Sequence, residues 1–100
     1  MLILPIKKKW FDMIKSGEKK EEYREIKTYW TKRLGFEDKG TGKVAFVRRY
    51  VLFRNGYGND KPTIKCFVHI ERNYGIEEWG AEHNKLYYVL KILSVEKIDD

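Results

Sequence analysis

Two extended stretches joined by a glycine-rich turn constrain this chain more than any other feature. Residues 44–54 place Val44, Phe46, Tyr50 and Leu52 on one face of a strand, with Ala45, Val47, Val51 and Phe53 on the other. A period of two is what a strand produces, and both faces of this one are expected to be largely covered. Residues 63–72 alternate more cleanly, with Ile64, Cys66, Val68 and Ile70 inward and Lys65, His69 and Glu71 outward. The connection Asn55-Gly56-Tyr57-Gly58-Asn59-Asp60-Lys61-Pro62 reads as a turn between antiparallel neighbours. A chain holding such a hairpin is committed to an antiparallel sheet.

The other segments fit around that sheet. Residues 2–6 form a short apolar run, a first strand ending near Pro5. Residues 8–16 follow at helical spacing, gathering Trp10, Phe11, Met13 and Ile14 on one side, and Gly17 supplies a left-handed stop. Residues 20–27 read as a highly charged strand, and Thr28 is placed to cap a short helix through Arg33 or Leu34. Residues 35–43 hold three glycines and are loop. A loop or single turn over 76–84 leads to a last strand over 86–98. The expected fold is α+β: a small curled sheet or barrel of five to six mostly antiparallel strands with two short helices. It forms one domain over residues 1–100, because no repeat or linker divides the chain.

At 42% hydrophobic and 15% aromatic residues, the chain can bury one core without metal or disulfide support. No apolar run approaches the ~18 residues of a membrane span. The opening Met-Leu-Ile-Leu-Pro-Ile is too short for a signal peptide. The single cysteine, Cys66, lies on the apolar face of its strand as inert core and fits a reducing cytoplasm. His69, His83 and Cys66 give no zinc spacing, and no Gly-x-Ser-x-Gly or phosphate-loop pattern occurs. Neither a metal nor a cofactor is expected.

The net charge of +6 is unevenly distributed: residues 1–34 carry +5, residues 35–76 carry +4 and residues 77–100 carry −3. A one-sided basic surface suits a polyanion such as nucleic acid. Lys7, Lys8 and Lys9 stand at the start of the first helix, where the dipole makes each lysine unfavourable by about 0.3–1 kcal/mol. An anion bound there would reverse that penalty. In the next strand, Glu22 and Arg24 share a face with Ile26, which would draw a carboxylate and a guanidinium inward. Charges carried inward must be paired, and Glu22 with Arg24 or Lys19 offers the means. Tyr29 and Trp30 lie among Lys32 and Arg33, and Arg48 and Arg49 precede Tyr50. Aromatics interleaved with cations suit single-stranded nucleic acid, where bases stack and phosphates pair. Tyr29 is the better stacking candidate and Trp30 at least half structural, while Arg48 and Arg49 point to opposite faces. Trp79 reads as a lid over the core.

The run Gly17-x-Lys19-x-x-Glu22-x-Arg24 resembles the signature of the ASCH domains, small barrels of the PUA-like superfamily found in RNA-modifying proteins. Pro5-Ile6-Lys7, Trp10-Phe11-Asp12, Ile14 and Ser16-Gly17 ahead of it agree, as do Tyr29-Trp30 and Arg33-Leu34 after it. The resemblance is dense over residues 3–34. It implies a PUA-like barrel with a cleft beside the first helix, lined by the motif residues and serving RNA or modified-nucleoside chemistry. Some members are amidohydrolases that deacetylate acetylated cytidine, using a threonine three positions after the motif lysine; others are reported as ribonucleases. Here Glu22 occupies the threonine's place, so Lys19 and Arg24 carry over but the nucleophile does not.

Three functions follow as expectations. The first is a module binding RNA or a modified nucleotide, with Lys7, Lys9, Lys19, Arg24 and Arg33 contacting anions and Tyr29 or Trp30 stacking a base. The second is a small hydrolase acting on acetylated cytidine or RNA, with Lys19 and Glu22 as an acid–base pair working through water. The third is a protein-interaction module that uses the aromatic surface.

Overall fold

The computed structural model describes residues 1–37, 40 and 44–97. Their order is β1 (Leu2–Ile6), α1 (Lys8–Ser16), β2 (Glu21–Glu25), α2 (Thr28–Leu34), β3 (Phe46–Asn55), β4 (Thr63–Tyr74), a 3₁₀ turn (Glu77–Trp79) and β5 (Leu86–Lys97). The chain is α+β. Its five strands form one curled half-barrel sheet in the order β1-β3-β4-β5-β2. The β3–β4, β4–β5 and β5–β2 pairs are antiparallel, and β1 joins β3 in parallel. The alternation read from residues 63–72 holds: Ile64, Cys66, Val68 and Ile70 are all buried. Among the described residues, no helix is long and apolar enough to cross a membrane.

The main core lies on the inner face. Leu2, Leu4 and Ile6 of β1 meet Val51 and Phe53 of β3, the four buried residues of β4, and Tyr88 and Leu90 of β5. Phe11 and Ile14 of α1 and Leu34 of α2 cover them, which is why residues 8–16 gather their apolar side chains on one flank. Truncating Ile14, fully buried, to alanine would cost about 2–5 kcal/mol. A second cluster sits on the other face of the β2–β5 pair, where Tyr23, Ala81, Tyr87 and Val89 pack with Trp79. Trp79 therefore covers this smaller cluster rather than the main core.

Three local expectations are corrected. Both helices pack on the inner face, so the opposite face of β3 is left open and Phe46, Arg48 and Tyr50 are exposed there. Lys27, not Thr28, is the N-cap of α2, with no side-chain cap bond; Thr28 is already helical. Ile26 lies beyond the end of β2 and is 42% exposed, so it does not draw its neighbours inward. Ile98 and residues 38, 39 and 41–43 of the predicted strand and loop lie outside the described residues.

Candidate functional site

The site begins where α1 stops. Gly17 takes the left-handed conformation (φ 87°) and donates its N–H to the Ile14 carbonyl, and the Lys19 N–H then bonds the Met13 carbonyl at 2.9 Å. This folding back over the helix end turns the Lys19 side chain into the protein. Lys19 is 1% exposed. Its ammonium donates to the Trp79 backbone carbonyl and stands 3.3 Å from Glu22 Oε1. Two ring faces complete its surroundings, Trp10 at 4.5 Å and Tyr23 at 5.0 Å. Burial holds the Lys19 ammonium below the ordinary lysine range; the Glu22 carboxylate opposes that shift and Arg24 adds to it.

Glu22 and Arg24 do face inward, by the alternation of β2 itself. Across the antiparallel register they oppose Leu90 and Tyr88, both core residues of β5. Glu22 Oε2 accepts from Arg24 Nη1 at 2.9 Å, so this one carboxylate serves two cations. Arg24 also donates to its neighbour's carbonyl on Tyr23 at 2.7 Å and, through Nη2, to the Pro5 carbonyl at 3.3 Å. The last bond joins β2 to β1, the two open edges of the curled sheet. The Arg24 guanidinium lies 5.1 Å from the Trp30 ring centre. Tyr23, on the other face of β2, bonds Glu21 at 2.9 Å and receives the Ile76 N–H at 2.8 Å; burial pushes its hydroxyl pKa up.

Above this cluster opens a cleft of about 860 Å³. Glu22 and Arg24 form its floor, Lys7 and Trp10 one side, and Tyr29, Trp30 and Arg33 of α2 another. Arg54, Gly56, Tyr57, Trp79 and Gly80 also line it. Gly80 (φ 104°) allows the close approach, since a Cβ there would lie 3.1 Å from the Trp10 ring. The chain has three tryptophans, and all of them line the cleft.

The electrostatics of the wall separate its charges into two groups. Glu22 is matched by Lys19 and Arg24, and Glu25 by Lys27 and Lys85. Lys7, Arg33 and Arg54 have no ion-pair partner among the described residues. The cleft therefore holds surplus positive charge beside aromatic surface, which attracts an anion carrying a flat ring.

The residues expected from sequence fall into three sets. Lys7, Arg24, Tyr29, Trp30 and Arg33 are brought together on the cleft wall. Tyr29 is 60% exposed and meets Trp30 edge-on at 4.9 Å, whereas Trp30 is half-buried against the core. Lys19 lies behind the wall, paired to Glu22. Lys9 is not on the wall; it is exposed with its ammonium 4.6 Å from the Trp10 ring centre. The α1 N-terminus has neither an acidic residue in its first turn nor a side-chain cap. Arg48 turns to the outer face, where it bonds His69 at 3.0 Å, and Arg49 donates to the Arg33 carbonyl near the end of α2. Sequence reasoning missed Arg54 and Tyr57. Their place on the wall follows from the parallel register that sets the hairpin end beside β1, a pairing with no local sign in the sequence. Among the described residues no cluster of three metal-ligating side chains occurs. No family model, curated protein or solved structure matches the chain.

Proposed function

We propose that this chain is a PUA-like domain of the ASCH type whose cleft binds RNA or a modified nucleotide. One observation carries the reading: three tryptophans line a cleft whose carboxylates are already neutralised, while Lys7, Arg33 and Arg54 have no ion-pair partner among the described residues. Bases stack on such rings at roughly 1–3 kcal/mol each and phosphates meet the free cations. Lys19, Glu22 and Arg24 form the buttress that holds β2 against α1 and β1. A cytoplasmic location belongs to the same reading, supported by the chain's one cysteine, Cys66, a free buried thiol.

The test is binding of a short single-stranded RNA, followed by fluorescence anisotropy over a salt series. Three phosphate contacts at ~0.7 each predict a log–log slope near −2. A flat salt response, or no binding at low salt, overturns the reading.

A second reading, hydrolysis by a Lys19–Glu22 pair, is favoured by one observation. A lysine held below its ordinary pKa, 3.3 Å from a carboxylate, has the makings of an acid–base pair. Under that reading Glu22→Gln and Lys19→Ala each abolish turnover of acetylated cytidine or short RNA in folded protein. Rates unchanged from the parent in both variants dispose of it.

A further inference from the structure

Resting on the cleft reading above, we infer that Arg54 is the seat of a phosphate group, so that the cleft selects phosphorylated nucleosides over bare ones. Arg54 is half-buried, lines the cleft, and has a buried Nε–H with no hydrogen-bond partner. Buried polar groups are almost always satisfied, so a guanidinium on the cleft wall whose Nε–H is unmet is one the fold does not hold by that bond, which leaves its fork available to an acceptor entering the cleft. The other interior guanidinium shows the contrast. Arg24 is bonded to a carboxylate and two carbonyls, whereas the Arg54 side chain has no hydrogen bond or ion pair among the described residues.

The surroundings of Arg54 make an anion site. It is the register partner of Pro5, whose carbonyl receives the Arg24 bond, so two arginines flank one residue of β1. At the next pair Ile6 opposes Asn55, and the Gly56 N–H bonds the Ile6 carbonyl at 2.8 Å. This ties the end of β1 to the hairpin end and keeps Lys7, which follows Ile6, at the same end of the cleft as Arg54. No carboxylate pairs with either cation among the described residues. A guanidinium presents two parallel N–H groups to two phosphate oxygens, a geometry no ammonium reproduces. Trp30 and Tyr29 lie on the α2 side, where a base carried by that phosphate would stack.

The same chemistry is offered by a nucleoside monophosphate and by the backbone of an RNA strand, and one experiment separates them. Calorimetric titration uses the full chain with the four ribonucleosides, their 5′-monophosphates and an eight-residue oligouridine. The monophosphates are expected to bind about tenfold more tightly than the matching nucleosides, a difference of about 1.4 kcal/mol. In Arg54→Gln, checked for folding by circular dichroism, that ratio collapses toward unity; Arg54→Lys, which keeps the charge without the fork, retains part of it. If oligouridine alone depends on Arg54, the seat takes a backbone phosphate. An Arg54→Gln variant that changes neither that ratio nor the affinity for oligouridine overturns the inference and leaves the cleft reading standing. No binding by any of the three probes overturns both.

Discussion

Replacing Glu22 by glutamine tests the buttress directly. The carboxylate is 6% exposed and stands 3.3 Å from Lys19 and 2.9 Å from Arg24. At an effective dielectric of 20, each attraction is worth roughly 5–6 kcal/mol before the cost of taking the ions from water is set against it. Removing one partner of a buried pair typically costs about 3–5 kcal/mol, because the remaining charge keeps its desolvation penalty. Glutamine preserves the shape and one acceptor oxygen, so the lower end, about 3 kcal/mol, is expected. For a domain of this size that lowers Tm by about 12–24 °C. Urea denaturation at pH 7 gives the same number as a fall in midpoint at constant m. The companion variant Lys19→Met removes the cation that Glu22→Gln strands, so the double variant should lose at least about 1 kcal/mol less than the sum of the singles. A loss within about 0.5 kcal/mol for Glu22→Gln, the range of ordinary surface substitutions, would refute the buttress. Strict additivity would do the same.

Further outcomes follow from other parts of the molecule. Burial holds Lys19 below its ordinary pKa of 10.5, so the unfolded chain binds more protons between the lowered value and 10.5, and stability rises with pH across that window. Subtracting the urea midpoints of Lys19→Met from those of the parent between pH 8 and 10.5 should expose this rise, and a difference that is flat or falling contradicts it. Gly75→Ala sets a Cβ 2.5 Å from the Ala81 Cβ and 2.6 Å from the Tyr23 ring, overpacking the second cluster by about 1–3 kcal/mol; unchanged thermal stability would show that this corner yields freely. Burial pushes the Cys66 thiol up to about 12, so an aromatic disulfide reagent at pH 8 should label the native protein far more slowly than the urea-unfolded chain. Equal rates would place the thiol outside the core.

Much of the scaffold was legible because it is local. The alternation of residues 63–72, the hairpin at Asn55-Gly56, the apolar flank of residues 8–16 and the left-handed stop at Gly17 are each written in adjacent residues. The inward turn of Glu22 and Arg24 was legible too, although Ile26 was the wrong reason: the face is set by pairing with Leu90 and Tyr88 on a strand more than sixty residues away. The parallel pairing of β1 with β3 had no local sign, since a short apolar run fits either direction. Nor did the burial of Lys19. It sits in a run of charged residues, and only the Trp79 carbonyl and the Trp10 ring, brought in by tertiary folding, make an interior place for it. Arg54 was invisible for a related reason. On an alternating strand it reads as an ordinary outward cation, and its distinction, a buried N–H without an acceptor, exists only in three dimensions.

Whether the cleft is where nucleic acid sits is read most directly from the three indole N–H signals of Trp10, Trp30 and Trp79, which report on the cleft from three sides. Titrating ¹⁵N-labelled protein with a short single-stranded RNA should move all three in proportion to occupancy, and raising the salt should return them to their free positions. Binding that leaves the indoles unmoved while shifting backbone signals on the open face of β3, around Phe46 and Tyr50, would contradict it.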